Sequence, residues 1–209
     1  MALLPDRRAL TALAYQLGPA RYYQPAYRFI AADCGIERGS FLDVGTGPGW
    51  IAIRVADGRP EVDAVGIDTS EAMLEYAEAN KAGRLNVTFR KMDAVNIVYP
   101  SGTFAAAVAV QAAHHWTDPA AVFAEVHRVL EDGATFWVYE ADPDAEVPAD
   151  WIARRGPFPP DAWVKRQWRQ YGMAADRWAA LKATAEASPF GPDIVDETHG
   201  FYRRLGCTK

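Results

Sequence analysis

The stretch Asp43-Val44-Gly45-Thr46-Gly47-Pro48-Gly49-Trp50 decides the fold, because it lies where a short apolar run, Phe41 to Val44, hands over to a helical pattern. Without a Cβ, glycine takes positive φ and turns tightly, so such a loop lets the backbone approach a bulky, charged ligand. Pro48 restricts the entry into the helix. A glycine-rich turn on its own serves equally well as a plain strand-to-helix connector, so its neighbours must arbitrate.

Outward from the loop, apolar or alternating runs of strand length recur at Val62 to Asp68, Val87 to Met92, Phe104 to Val110 and Thr135 to Tyr139. Helical patterns separate them. Thr69 or Ser70 can cap a helix that carries Glu71 at its positive end, turns Met73, Leu74 and Ala77 toward the sheet and ends at Gly83. Asp118-Pro119 reads as an N-cap and first turn, followed by Val122, Phe123, Val126, Val129 and Leu130 at helical spacing; Gly133 then permits the turn into the next strand. This alternation implies an α/β fold with a parallel sheet, right-handed crossovers and a ligand at the carboxyl ends of the strands. Near the C-terminus, a helix from about Asp176 to Ala187 precedes an antiparallel hairpin, Ile194 to Thr198 and Phe201 to Cys207 around His199-Gly200.

Two acids sit at predicted strand ends. Asp68 closes Val65-Gly66-Ile67-Asp68, 25 residues after Asp43, where its carboxylate can accept both ribose hydroxyl protons of an adenosine or simply cap the next helix. Asp93, followed by Ala94, closes the third strand, where a bond to an adenine amino group competes with an ordinary turn role.

With these residues in place, the chain resembles class I S-adenosylmethionine-dependent methyltransferases, of the small-molecule type related to the quinone-biosynthesis enzymes, over most of residues 38 to 140. The resemblance implies a Rossmann-like methyltransferase fold: a mainly parallel seven-stranded sheet, helices on both faces and a C-terminal antiparallel hairpin. It also implies that the loop of Asp43, Gly45, Gly47 and Gly49 surrounds the methionine part of S-adenosylmethionine, that Asp68 binds ribose and that Asp93 binds adenine. Thr46, Thr69 and Ala94, which adjoin these positions, and Gln111, which follows the fourth strand, join the candidate cofactor contacts. Met73 either packs on the adenine or belongs to the core. Gln111-Ala112-Ala113-His114-His115-Trp116-Thr117-Asp118 is similar to the family's stretch after its fourth strand, and Arg128-Val129-Leu130-Glu131-Asp132-Gly133-Ala134 to its helix-to-strand turn. Two departures stand out: Ala105 where members commonly carry Asp, and the single Gly133 where paired glycines are usual.

Such a cofactor brings an activated methyl group, so positioning dominates: near-attack placement is worth about 7–11 kcal/mol, against about 10²- to 10⁴-fold from a general base. The candidate bases are His114 and His115, just beyond the fourth strand, with hydrogen bonding inside the loop as the alternative. An adjacent His pair without nearby Cys or a carboxylate triad does not suggest a metal site.

The whole of 1–209 is expected to be one domain, with 1–37 as an N-terminal helical segment or lid and 141–175 as a candidate substrate cap. Leu10, Leu13, Ala14 and Leu17 have helical spacing, and Tyr22, Tyr23 and Tyr27 follow as lid or core residues. Between Trp151 and Trp178 six cations (Arg154, Arg155, Lys165, Arg166, Arg169, Arg177) face two acids (Asp161, Asp176). Val164, Trp168 and Tyr171 form a one-face stripe that reads as packing or as part of the cap. Tyr22, Tyr23, Trp116, Trp151 and Arg166 are the substrate candidates, suited to an aromatic or anionic small molecule.

Composition narrows the class. A net charge of −5 and a pI near 5.4 over 209 residues argue against a general nucleic-acid surface. No apolar run of about 18 residues could cross a bilayer, and Pro5, Asp6, Arg7 and Arg8 interrupt the one short apolar start, so a cytoplasmic location is expected. Cys34 and Cys207 have no metal-ligand spacing and read as packing residues. Two other functions compete: a catalytically inactive cofactor-binding regulatory or partner protein, and a nicotinamide-dependent oxidoreductase. The second expects Gly-x-Gly-x-x-Gly, whereas this loop runs Gly45-x-Gly47-x-Gly49. No motif specifies the methyl acceptor or the oligomeric state.

Overall fold

The computed structural model describes residues 24–145, 166, 169–170 and 172–209. Their regular elements are α1 (Gln24–Asp33), β1 (Gly39–Val44), α2 (Trp50–Ala56), β2 (Val62–Asp68), α3 (Glu71–Lys81), β3 (Val87–Lys91), β4 (Ala106–Val110), a 3₁₀ turn (Ala113–His115), α4 (Pro119–Val129), β5 (Thr135–Ala141), α5 (Ala175–Glu186), β6 (Val195–His199) and β7 (Tyr202–Thr208). The strands form one seven-stranded sheet in the order β3-β2-β1-β4-β5-β7-β6. All neighbours pair parallel except β7, which runs antiparallel to both β5 and β6. The order reverses between β1 and β4, so their carboxyl ends flank the crevice where doubly wound sheets take ligands.

Alternation along each strand feeds two apolar layers. Phe41 joins the layer under α1, α2 and α3, together with Ile53, Leu74 and Ala77, while Leu42 and Val44 face α4 and α5 with Phe123, Val126 and Leu181. Helices thus cover both faces, and the central strands are hydrophobic on both sides, as parallel strands require. Helix starts follow local chemistry. The Ser70 side chain accepts from the Met73 N–H to cap α3, and Asp118 accepts from Ala121 ahead of Pro119 to cap α4.

The sequence-based boundaries shift for identifiable reasons. β4 begins at Ala106, not Phe104: Phe104 instead makes an isolated bridge to Leu130, and the Ala105 N–H donates to the Ser40 carbonyl. β5 runs two residues beyond Tyr139, carried by antiparallel pairing of Glu140 with Arg203 and Ala141 with Tyr202. α3 turns off at Ala82, already left-handed at φ 50°, one residue before Gly83. His199 pairs with Tyr202, so the hairpin turn is Gly200-Phe201. Tyr27 is a buried residue of α1. The Leu10–Leu17 pattern, Tyr22, Tyr23, Trp151 and the Val164, Trp168 and Tyr171 stripe lie outside the described residues.

Candidate active site

The glycine loop spans the tip of β1 to the start of α2 and is held from below by buried hydrogen bonds. The Gly45 and Thr46 N–H groups both donate to the Ile67 carbonyl of β2, each at 2.9 Å. Asp43 points into the protein, only 1% exposed, and its Oδ2 accepts from the Thr46 hydroxyl at 2.6 Å and the Ala52 N–H at 3.2 Å. Burial pushes the Asp43 carboxyl up to about 7, against the pull of those two hydrogen bonds. Asp43 and Thr46 therefore brace the loop from inside.

The three glycines divide the remaining work. A Cβ on Gly45 would come within 2.6 Å of the Ala112 Cβ, and one on Gly49 would run into the Phe89 ring and meet Ala77 at 3.0 Å. Both are demanded by packing. Gly47, at φ 52°, has nothing within 4 Å of where a Cβ would stand, so it is the glycine that opens onto space.

Asp68 stands beside that opening. Its Oδ2 accepts from the Gly47 N–H at 2.8 Å, and its Oδ1 accepts from the Ser70 N–H at 2.8 Å, tying the two neighbouring strand tips together. Each oxygen keeps a further lone pair. Thr69 is exposed next to it, and Met73 is half-buried on α3, less enclosed than Leu74 and Ala77 on the same helix. At the tip of β3, Asp93 is exposed and accepts from the Val95 N–H at 3.2 Å, with half-buried Ala94 following. On the other side of the crevice, Gln111 leaves β4 at φ 51°, its N–H bonded to the Tyr139 carbonyl at 2.8 Å. This left-handed bend swings Ala112 against Gly45.

The same bend leads into the 3₁₀ turn that carries the histidines, whose rings lie 4.0 Å apart. His114 is anchored: its Nδ1 lies 2.9 Å from Glu140 Oε2, its backbone N–H donates to Glu140 Oε1 at 3.2 Å, and its carbonyl accepts from Arg177 Nη2 at 2.9 Å. His115 is the more exposed ring. Partial desolvation, and then the neighbouring His114, hold it below the ordinary histidine value, so its neutral form is favoured near pH 7. Trp116 packs edge-on against Phe123 and stacks with Phe136 at the rim of the apolar layer under α4. Arg166 is exposed on helical backbone. The structure thus brings together the loop, Asp68 and the strand-tip turns after β3 and β4.

Sequence reasoning missed Glu140, the bond that Arg177, counted only among six cations, makes to His114, and the left-handed bend at Gln111, which it had placed among the cofactor contacts. Glu140 lay one residue past the expected end of its strand, and its partner is 26 residues away. Among the described residues, no group of three or more His, Cys, Asp or Glu side chains could hold a metal ion, and no helix is long and apolar enough to cross a membrane. Burial raises both thiols, that of Cys207 to about 12, which keeps them protonated and unreactive.

Residues 41–133 match the family described as a methyltransferase domain. The chain is 35% identical over 106 residues to the demethylmenaquinone methyltransferase of Deinococcus radiodurans, covering 50% of this chain and 44% of that protein. It is 32% identical over 127 residues to the sterol 24-C-methyltransferase of Aspergillus fumigatus, covering 57% of this chain and 33% of that one. The chain therefore spans less than half the length of either relative. A crystal structure from Methanococcus maripaludis, assigned to the S-adenosyl-L-methionine-dependent methyltransferases, superposes with a TM-score of 0.80 at 19% identity, over 100% of this chain and 97% of that one. That likeness is one of fold.

Proposed function

We propose, from the match of residues 41–133 to the methyltransferase-domain family and the geometry of the glycine loop, that this chain is a class I S-adenosylmethionine-dependent methyltransferase that transfers a methyl group to a small-molecule acceptor and releases S-adenosylhomocysteine. The observation that carries the reading is the 2.8 Å bond from the Gly47 N–H to Asp68 beside open space at Gly47. A bare stretch of backbone and a carboxylate with spare lone pairs meet there, which suits an adenosyl group bearing a cationic sulfonium.

The backbone of Gly45 and Gly47 would flank the methionine portion, Asp68 would accept from the ribose hydroxyls, and Asp93 and Met73 would border the adenine. When bound, the cofactor supplies a methyl electrophile that needs no metal and no covalent protein intermediate. The protein's part is to hold the acceptor in line, exclude water and take a proton where one leaves. His114 and His115, on the turn after β4, would serve that last task, and the neutral form favoured in His115 is the one that accepts a proton. The acceptor is read as aromatic or anionic, received by Tyr22, Tyr23, Trp151, Arg166 and the 141–175 cap of a cytoplasmic enzyme.

Calorimetry with S-adenosylmethionine, S-adenosylhomocysteine and NAD tests the cofactor. Binding of the first two without NAD is expected, and NAD binding alone overturns the reading in favour of an oxidoreductase. A metabolite extract incubated with methyl-labelled cofactor then tests turnover. Label entering a small molecule is expected, whereas cofactor binding without transfer to any metabolite identifies an inactive regulatory protein.

A further inference from the structure

We propose that Glu140 is a positioning residue for methyl transfer, holding the His114 imidazole so that its Nε2 is the nitrogen offered to the acceptor's proton; this rests on the function proposed above. Glu140 has no exposed surface, and a buried carboxylate is costly unless its oxygens are bonded. Phe136 and Val138, on the same face of β5, fill the layer with apolar groups, so packing alone does not call for an acid there. Both carboxylate oxygens go to a single residue: Oε1 takes the His114 backbone N–H and Oε2 takes the ring at Nδ1.

An ionised carboxylate only accepts hydrogen bonds, so Nδ1 must carry the proton and Nε2 is left with its lone pair. The His114 side chain keeps 12% of its surface exposed, and among the described residues its Nε2 makes no protein hydrogen bond. The turn is fixed from one further direction, by Arg177 of α5 on the His114 carbonyl, and the His115 ring of the same turn lies 4.0 Å from that of His114. Two elements, β5 and α5, therefore hold the His114 turn at the end of β4, where acceptor and methyl group are expected to meet.

Glu140→Gln makes the inference testable, because an amide has one acceptor where the carboxylate has two. Its oxygen would satisfy the His114 backbone N–H, its NH₂ would donate to Nδ1, and the ring proton would move to Nε2, turning the proposed acceptor into a donor. Full-length protein labelled with ¹⁵N-histidine and saturated with S-adenosylhomocysteine would be followed by NMR from about pH 5 to about pH 9, the range across which imidazoles titrate. His114→Ala assigns the resonance.

The wild type is expected to show the Nδ1–H form of His114 and Glu140→Gln the Nε2–H form. S-adenosylmethionine affinity should stay within about twofold, while label transfer into a metabolite extract falls by about 10²-fold or more. An Nε2–H tautomer in the wild type, or the same tautomer in both proteins, overturns the role of Glu140, and so does the expected tautomer change with label transfer left intact, the case in which Glu140 merely braces the turn. If the variant does not fold, an Nε2–H tautomer in the wild-type spectrum still overturns it. A wild type that binds no S-adenosylmethionine brings down the proposed function as well, whereas one that binds it but shows Nε2–H sinks only this inference.

Discussion

Asp43, next to last in β1, and Asp68, the last residue of β2, lie at the tips of neighbouring strands, yet one turns inward and the other toward the crevice. The buried one is displaced from its ordinary value of 3.8 to about 7, with Asp68 adding repulsion after burial. The folded state thus holds a proton on Asp43 that the unfolded chain gives up. Its contribution to stability is fully present below about pH 4 and fades as pH rises through about 7, a swing of up to about 4 kcal/mol at 1.36 kcal/mol per tenfold. Asp43→Asn keeps an oxygen for Thr46 and Ala52 but cannot ionise. Urea denaturation at acid and neutral pH should therefore show the wild type losing stability relative to the variant as pH rises, and a constant gap would refute the burial argument. For Asp68→Ala, calorimetry should record about 1.5–3 kcal/mol less binding of S-adenosylmethionine, the usual worth of hydrogen bonds to a charged group. An unchanged affinity would remove Asp68 from the ribose site.

At the scale of elements, the loop joining β1 to α2 illustrates what sequence can and cannot convey. The spacing Gly45-x-Gly47-x-Gly49 marks a ligand loop but does not say which glycine serves the ligand. That depends on Ala112 after β4 and Phe89 in β3, each remote in sequence. Gly49→Ala would force a side chain into left-handed backbone at φ 82° and against Phe89, costing about 1–2 kcal/mol of strain plus about 1–3 kcal/mol of overpacking. Gly47→Ala meets only the strain. Thermal unfolding should thus punish Gly49→Ala well beyond Gly47→Ala, while cofactor binding should suffer in Gly47→Ala; the reverse order would mean that Gly47 is not the open position. The strands were readable because each apolar run is bounded by turn residues, and the caps of α3 and α4 because Ser70 and Asp118 act on backbone three residues away. Strand ends were less so: the last residues of β5 owe their pairing to β7, more than sixty positions downstream.

Contacts of this range govern the whole molecule, and local pattern carries no trace of them. Arg204 of β7 ion-pairs with Asp33 at the end of α1, 171 residues earlier, and with Glu197 of β6, while its guanidinium lies 4.3 Å from the Trp137 ring centroid. The Tyr139 hydroxyl donates to the same Asp33 carboxylate at 2.5 Å, and burial together with that bond raises the phenol far above its ordinary value. Four elements, α1, β5, β6 and β7, are thereby joined on the side of the sheet opposite Glu140. The sequence marked Arg204 only as one residue of a hairpin strand, since a charge there reads as an ordinary exposed position. Replacing it by Ala takes the cation away from two carboxylates and uncovers Trp137, which should cost about 2–4 kcal/mol. Arg204→Met preserves the cover on Trp137 but not the charge, so the difference between the two variants separates packing from pairing. In a double-mutant cycle with Asp33→Asn, the combined loss should be smaller than the sum by about 1 kcal/mol or more, because each single change strands the other partner. Strict additivity in chemical denaturation would mean that Arg204 and Asp33 do not stabilise the fold as a pair.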